Sequence, residues 1–397
     1  MIISAGSDHT IRIWNVITGI CERILYGHTE DIRSISVHPE NSLLASVSDD
    51  QTLRLWGLAD GFCHQLLHSY TNSIASVSFS PNGDVLLSSG EDKIISCWEV
   101  ESGVCFRNLA GHTGDVRQTT FNGIDGNLVV SGSSDHTVRI WNLDIGECVR
   151  ILKGHTSYIY TVATSYDGQL IASGGYDYTI RMWNTKTGNC IYILTGHTDQ
   201  IWSLVFSPDA RILASAGDDR RIRFWDVKTG ECITVFDESK NAITSLMFNR
   251  DGSTIANGDD DGTIQLTDAV SGENYKTLQG HTSTLTSLAY SPDGSKIISG
   301  SKDRTIRLWN VRSGKCLKVL NGHTARVRSV AFRNDNRTVA SSSDDGTIRL
   351  WDSETGECIR TMRPDRPYER SDITGVIGLN GAQKATLKAL GAIEMPL

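Results

Sequence analysis

Serine, histidine and aspartate are the side chains of an acyl-transfer triad, and they recur together along this 397-residue chain. The sets are His28–Ser46–Asp50, His112–Ser131–Asp135, His155–Ser173–Asp177, His197–Ser215–Asp219, His281–Ser299–Asp303 and His323–Ser341–Asp345. Each histidine follows a glycine. Each set is trailed by a tryptophan: Trp56, Trp141, Trp183, Trp225, Trp309 and Trp351. A catalyst needs one activated nucleophile in one accessible place. A set that returns six times at near-constant spacing has the form of a building unit. No catalytic residue is therefore expected, and the chain reads as a non-enzyme.

Cysteine is the other chemistry-bearing type. Cys21, Cys63, Cys105, Cys148, Cys190, Cys232, Cys316 and Cys358 each lie seven residues after a tryptophan, and Cys97 directly precedes Trp98. No pair has the close C-x₂₋₄-C spacing of a zinc site. Disulfides between sites one unit apart do not fit disulfide geometry. The expectation is no metal, no cofactor, and small half-buried thiols in a reducing compartment.

The elements that carry these residues follow from the tryptophan spacing. Trp14, Trp56, Trp98, Trp141, Trp183, Trp225, Trp309 and Trp351 step by 42 or 43 residues, with one double step in which Thr267 takes the missing rung. An aspartate stands six positions before all nine rungs. A serine stands ten before eight of them, and Asn257 replaces it in the unit that lost its tryptophan. Tyr70 and Ser239 take the histidine slot in two units. Within a unit the apolar period is 2. Ile201-Trp-Ser-Leu-Val-Phe, Ile212-Leu-Ala-Ser-Ala-Gly, Ile222-Arg-Phe-Trp and Cys232-Ile-Thr-Val-Phe read as four short strands between Gly and Asp turns. So small a sheet cannot bury itself; stacked radially, such sheets cover one another.

Gly-His, the turn aspartate and the Trp-Asp or Trp-Asn pair resemble the WD-repeat family of β-propellers over roughly residues 1–362. The resemblance implies a buried hydrogen-bond chain from Trp to Ser to His to Asp in each complete unit. The expected fold is all-β: a propeller of four-stranded antiparallel blades, lettered a to d in chain order. Nine repeat units favour a single nine-bladed ring. Eight blades with a loose N-terminal unit is the alternative, and seven blades with two surplus units the third.

The first unit starts inside its second strand, and residues 372–379 resemble other first strands, so they are expected to complete it. The propeller domain is thus expected over 1–379, with a short helix and tail over 380–397. The unit around Thr267, lacking both His and Trp, is expected to be the softest blade. The C-terminal segment also resembles the end of WD-repeat arrays in multidomain bacterial signalling proteins with STAND ATPases or kinases.

The family resemblance implies that partners use the face carrying the d–a loops and b–c turns. Three variable positions per unit map there. They place Tyr158, Tyr160, Tyr176, Tyr178 and Trp202 together, with Arg33, Arg117, Arg326 and Arg328 at equivalent positions elsewhere. Exposed Tyr and Trp are typical interface anchors. An arginine two before most rungs reads as a partly buried stem with a paired head.

The formal charge of −8 disfavours a nucleic-acid partner. No apolar run approaches a membrane span, and no signal peptide is visible. The expected protein is a cytoplasmic, monomeric, non-catalytic scaffold for a protein or peptide partner. The alternative is the C-terminal sensor module of a larger bacterial signalling ATPase or kinase.

Overall fold

The computed structural model describes residues 73–363 apart from 124, 125, 238 and 239. Between residues 2 and 68 it describes the strands together with residues 8, 15, 18, 20, 27 and 58. The chain divides into two units, one of residues 1–71 with 365–397 and one of residues 72–364.

The larger unit is a ring of seven four-stranded antiparallel sheets, each built from four consecutive strands. Blades 1 to 7 begin with innermost strands Ile74–Phe79, Val116–Asn122, Ile159–Thr164, Ile201–Phe206, Ile243–Phe248, Leu285–Tyr290 and Val327–Phe332. The innermost strand of blade 7 packs against that of blade 1 as neighbouring inner strands do elsewhere, so the ring is closed.

This corrects the nine-bladed expectation and its eight-bladed alternative: the ring has seven blades. The physical reason lies at the seam. Blade 1 already owns all four strands and needs none borrowed. Ile74, Val77, Leu86 and Trp98 of blade 1 form one apolar cluster with Ala340, Ile348, Leu350 and Met362 of blade 7. Arg333 Nε donates to the Gly83 carbonyl at 2.8 Å, Arg360 Nη2 to the Glu101 carbonyl at 2.8 Å, and the Ser73 hydroxyl to Asp344. No helix occurs among the described residues. The expected closing strand 372–379 and helix 380–393 lie outside them.

The strand sequences explain the wedge shape of a blade. In blade 3, strand b (Leu170–Gly175) is buried on both faces and small: Leu-Ile-Ala-Ser-Gly-Gly. The adjacent sheets leave little room near the axis. A Cβ added at Gly132 of blade 2 would meet side-chain carbons of Ile159 and Val162 at 2.8 Å each. Strand d (Cys190–Leu194) lies at the rim and is largely exposed. Between strands c and d a β-bulge shifts the register at the tryptophan, setting Trp183 opposite Cys190.

The smaller unit holds a three-stranded sheet (Ile2–Ala5, Thr10–Trp14, Cys21–Tyr26) and a four-stranded one (Ile32–Val37, Leu43–Ser48, Thr52–Gly57, Cys63–His68). Its core holds Ile11, Ile13, Leu25, Ile32, Leu44 and Trp56.

Candidate functional site

Each triad-like set of the seven-bladed ring sits in the interior of its blade. In blade 3, Trp183 Nε1 donates to Ser173 Oγ at 2.8 Å, Ser173 Oγ lies 2.7 Å from His155 Nε2, and His155 Nδ1 lies 2.8 Å from Asp177. The carboxylate can only accept, so Nδ1 carries the proton and Nε2 accepts from the serine hydroxyl. Every link is satisfied in one direction. Blades 2, 4, 6 and 7 repeat it through His112–Ser131–Asp135–Trp141, His197–Ser215–Asp219–Trp225, His281–Ser299–Asp303–Trp309 and His323–Ser341–Asp345–Trp351. In the smaller unit Trp56 Nε1 donates to Ser46 Oγ at 2.8 Å, while His28 and Asp50 lie outside the described residues. The five ring serines of these sets are fully buried, with 0% exposure, so no substrate reaches their hydroxyls.

Burial alone would raise the carboxyl of Asp177. The hydrogen bond from His155, with the N–H groups of Thr156 and Thr179, outweighs it and holds the carboxyl well below its ordinary range. Asp92 of blade 1, in the unit where Tyr70 holds the histidine slot, is instead pushed up by burial.

The glycine before the histidine has a steric cause in every such unit but that of Gly196, where the nearest atoms would stand at 3.5 Å. A Cβ on Gly111 would stand 2.8 Å from Arg139 Nη1 and 3.2 Å from the Trp141 ring. The arginine two before the rung pairs with the turn aspartate in two units, Arg12 with Asp8 at 2.8 Å and Arg223 with Asp219 at 4.0 Å. The Nε atoms of Arg139, Arg181, Arg223, Arg307 and Arg349 are buried without hydrogen-bond partners. The guanidinium of Arg139 lies 5.8 Å from the Trp141 ring centre, and that of Arg349 lies 5.9 Å from Trp351. In these two blades the cation lies against the ring on its own side of the strand. Among the cysteines, Cys21, Cys105 and Cys148 are half-buried as expected, Cys190, Cys232, Cys316 and Cys358 are exposed at the rim, and Cys97 is buried with its thiol pushed up to about 12.

The aromatic residues of blades 3 and 4 gather on the face of the d–a loops and b–c turns. Tyr158 and Tyr176 stand edge to face with ring centres 6.2 Å apart; Tyr176 lies 6.2 Å from Tyr160 and 6.4 Å from Tyr178. Tyr160 stacks on Trp202 at 4.4 Å. The row keeps an open side, because Tyr158, Tyr176 and Tyr178 are 39–45% exposed. Trp202 is oriented by its N–H bond to Asp218 at 2.7 Å.

The row has one member that the aromatic pattern alone did not flag: His136 of blade 2, 5.6 Å from Tyr158. Its signal was present, since it follows the turn aspartate as Tyr178 does. Two tyrosines of the same stretch lie elsewhere: Tyr166 in the a–b turn and Tyr192 on the outer strand, its hydroxyl donating to the Lys228 carbonyl.

Beside the row, a recess of about 290 Å³ has Tyr160 and Trp202 on one wall and Arg117, Lys302, Arg326 and Arg328 among its lining. Arg117 pairs with Asp115 at 2.8 Å and reaches over the Tyr160 ring at 5.9 Å. Arg326 and Arg328 both pair with Asp344. Arg33 lies in a strand of the smaller unit, and its side chain is outside the described residues.

Blade 5 departs from its sisters. It has Ser239, Asn257 and Thr267 in the His, Ser and Trp slots. The turn aspartate, Asp261, has Asp259 as its neighbour in place of a histidine. Burial, and then the Asp261 carboxyl, push Asp259 up to about 7. A carboxyl raised by folding binds a proton that the unfolded chain has already released, so its ionisation opposes folding as the pH climbs from about 4 to 7. Asp259→Asn should therefore raise the melting temperature at pH 8, and the gain should shrink steadily as the pH is lowered toward 4. A gain independent of pH would contradict this.

Residues 142–292 match the family model described as IFT122 first beta-propeller. Residues 19–57, 61–99, 103–142 and 314–352 match the WD domain, G-beta repeat.

Proposed function

The chain is a WD-repeat β-propeller, and from that premise we propose that it is an interaction scaffold whose aromatic row is the docking site for a protein or peptide segment. The fold is one that generally serves protein interaction. The observation that carries the reading is the row itself. A tryptophan and four tyrosines converge on one face, three of the rings remain two-fifths exposed, and salt-bridged arginines border them. Rigid aromatic rings at the centre and charge at the edge match the usual anatomy of a binding surface. The blades beneath fix the rings, so docking orders little that is not already ordered.

The test is the triple substitution Tyr158→Ala, Tyr160→Ala, Trp202→Ala. Three such anchors are each worth about 2 kcal/mol or more when central, so affinity should fall by at least ~100-fold. These side chains lie at the surface or its edge, and the circular dichroism spectrum should be unchanged. A folded triple variant that still captures the wild-type partner set eliminates this face.

A further inference from the structure

Blade 5 leaves open a cavity that its sister blades fill with their own tryptophan. We propose that this cavity is a binding site for a small planar aromatic group carrying an N–H donor, indole-like in shape.

Blade 4 shows what normally fills the position. The Trp225 ring packs with Ile180 and Leu194 of the preceding blade and Ile201 of its own, and its N–H donates to Ser215 Oγ at 2.8 Å. The counterparts in blade 5 are Ile222, Phe236 and Ile243, and these three line a cavity of about 110 Å³ beside Thr267. Two walls are thus apolar and are the counterparts of those that hold the Trp225 ring in blade 4, although Phe236 narrows the space where blade 4 has Leu194.

The polar end is equally specific. Asn257 holds the serine slot, is 2% exposed, and lines the cavity. Its Oδ1 is buried with no hydrogen-bond partner. A buried acceptor without a donor is rare in folded proteins. The donor lost from this blade is the indole N–H. The exposed Asn274 stands at the cavity's edge, which gives an entrance. Shape and unmet hydrogen-bonding capacity therefore ask for the same chemical group. It can arrive as a free heteroaromatic molecule or as the side chain of a partner peptide.

The experiment titrates the full chain with indole and with 1-methylindole, which has the ring but no N–H. Binding is followed by melting temperature and by ligand-observed NMR. Indole is expected to bind saturably, and 1-methylindole at least tenfold more weakly. Thr267→Trp should abolish the indole response by refilling the cavity. Asn257→Leu, which removes the acceptor, should bring the two ligands to equal affinity and serves if Thr267→Trp does not fold. N-acetyltryptophanamide separates the two sources: binding as tight as indole's points to a peptide side chain, and its exclusion to a free molecule. The proposal is overturned if indole does not bind saturably, which would mean a cavity holding water alone. It is equally overturned if the two ligands bind wild-type protein alike, or if indole binding survives in folded Thr267→Trp.

Discussion

Trp183→Ala is expected to destabilise the ring by about 3–5 kcal/mol, the range for truncating a buried aromatic. The ring is 2% exposed and packs among Val130, Val138, Ile140 and Leu152 of blade 2 and Ile159, Val162 and Ile171 of its own blade. Its loss opens a cavity between two sheets that otherwise meet closely. It also removes the first donor of a four-member chain, leaving Ser173 Oγ to His155 alone. The companion variant Trp183→Phe keeps most of the apolar contact and loses the N–H. It should cost far less, about 1–3 kcal/mol. Urea unfolding of the three proteins separates the terms. Equal losses for Ala and Phe would mean that the hydrogen bond, not the packing, carries the stability.

Ile348→Asp should be the more damaging change to the architecture. Ile348 is 0% exposed and sits in the cluster that joins blade 7 to blade 1. A carboxylate placed there has no partner, and burying it uncompensated belongs with the substitutions that cost more than ~4 kcal/mol. The informative control is Leu44→Asp, also at 0% exposure but in the core of the smaller unit. With seven blades closed on themselves, Leu44→Asp should leave the main unfolding transition of the ring in place, whereas Ile348→Asp should abolish it or shift it strongly down. Were all nine sheets one ring, the two would be equally harmful. Calorimetry distinguishes these patterns directly.

The two variants also show what the amino-acid order reveals and what it hides. Strand count, strand order and the Trp–Ser–His–Asp relation are local: Ser173 and Trp183 are ten residues apart, and His155 and Ser173 eighteen. Spacing within one repeat suffices to read them. Blade number depends on Ile74 meeting Ile348, at opposite ends of the ring unit. Every repeat has much the same inner and outer faces, so no single repeat states which other repeat it closes against.

The candidate docking row was legible in part. Tyr158, Tyr160, Tyr176, Tyr178 and Trp202 share slots that map to one face, and those slots follow from the repeat. Tyr166 and Tyr192 fall outside it because local density of tyrosine is not position. The arginine two before most rungs was legible as a stem with a paired head only where a turn aspartate is in reach, as for Arg12 with Asp8 and Arg223 with Asp219; for Arg139 the neighbour is the ring on its own strand.

Nine similar sheets and a ring of seven leave three contiguous choices of which seven take part. The chain therefore meets a problem of phase as well as one of packing. The last of the three choices is marked by a side chain that the sister repeats lack. Arg333 stands where Ser165, Ser207, Asn249 and Ser291 stand in sister repeats, and it reaches the Gly83 carbonyl across the seam. Ser73 meets Asp344 on the opposite face of the same junction. Such pairs act as an index mark on a set of interchangeable parts. A change at Arg333 would bear first on which ring is assembled, and only afterwards on how firmly that ring holds.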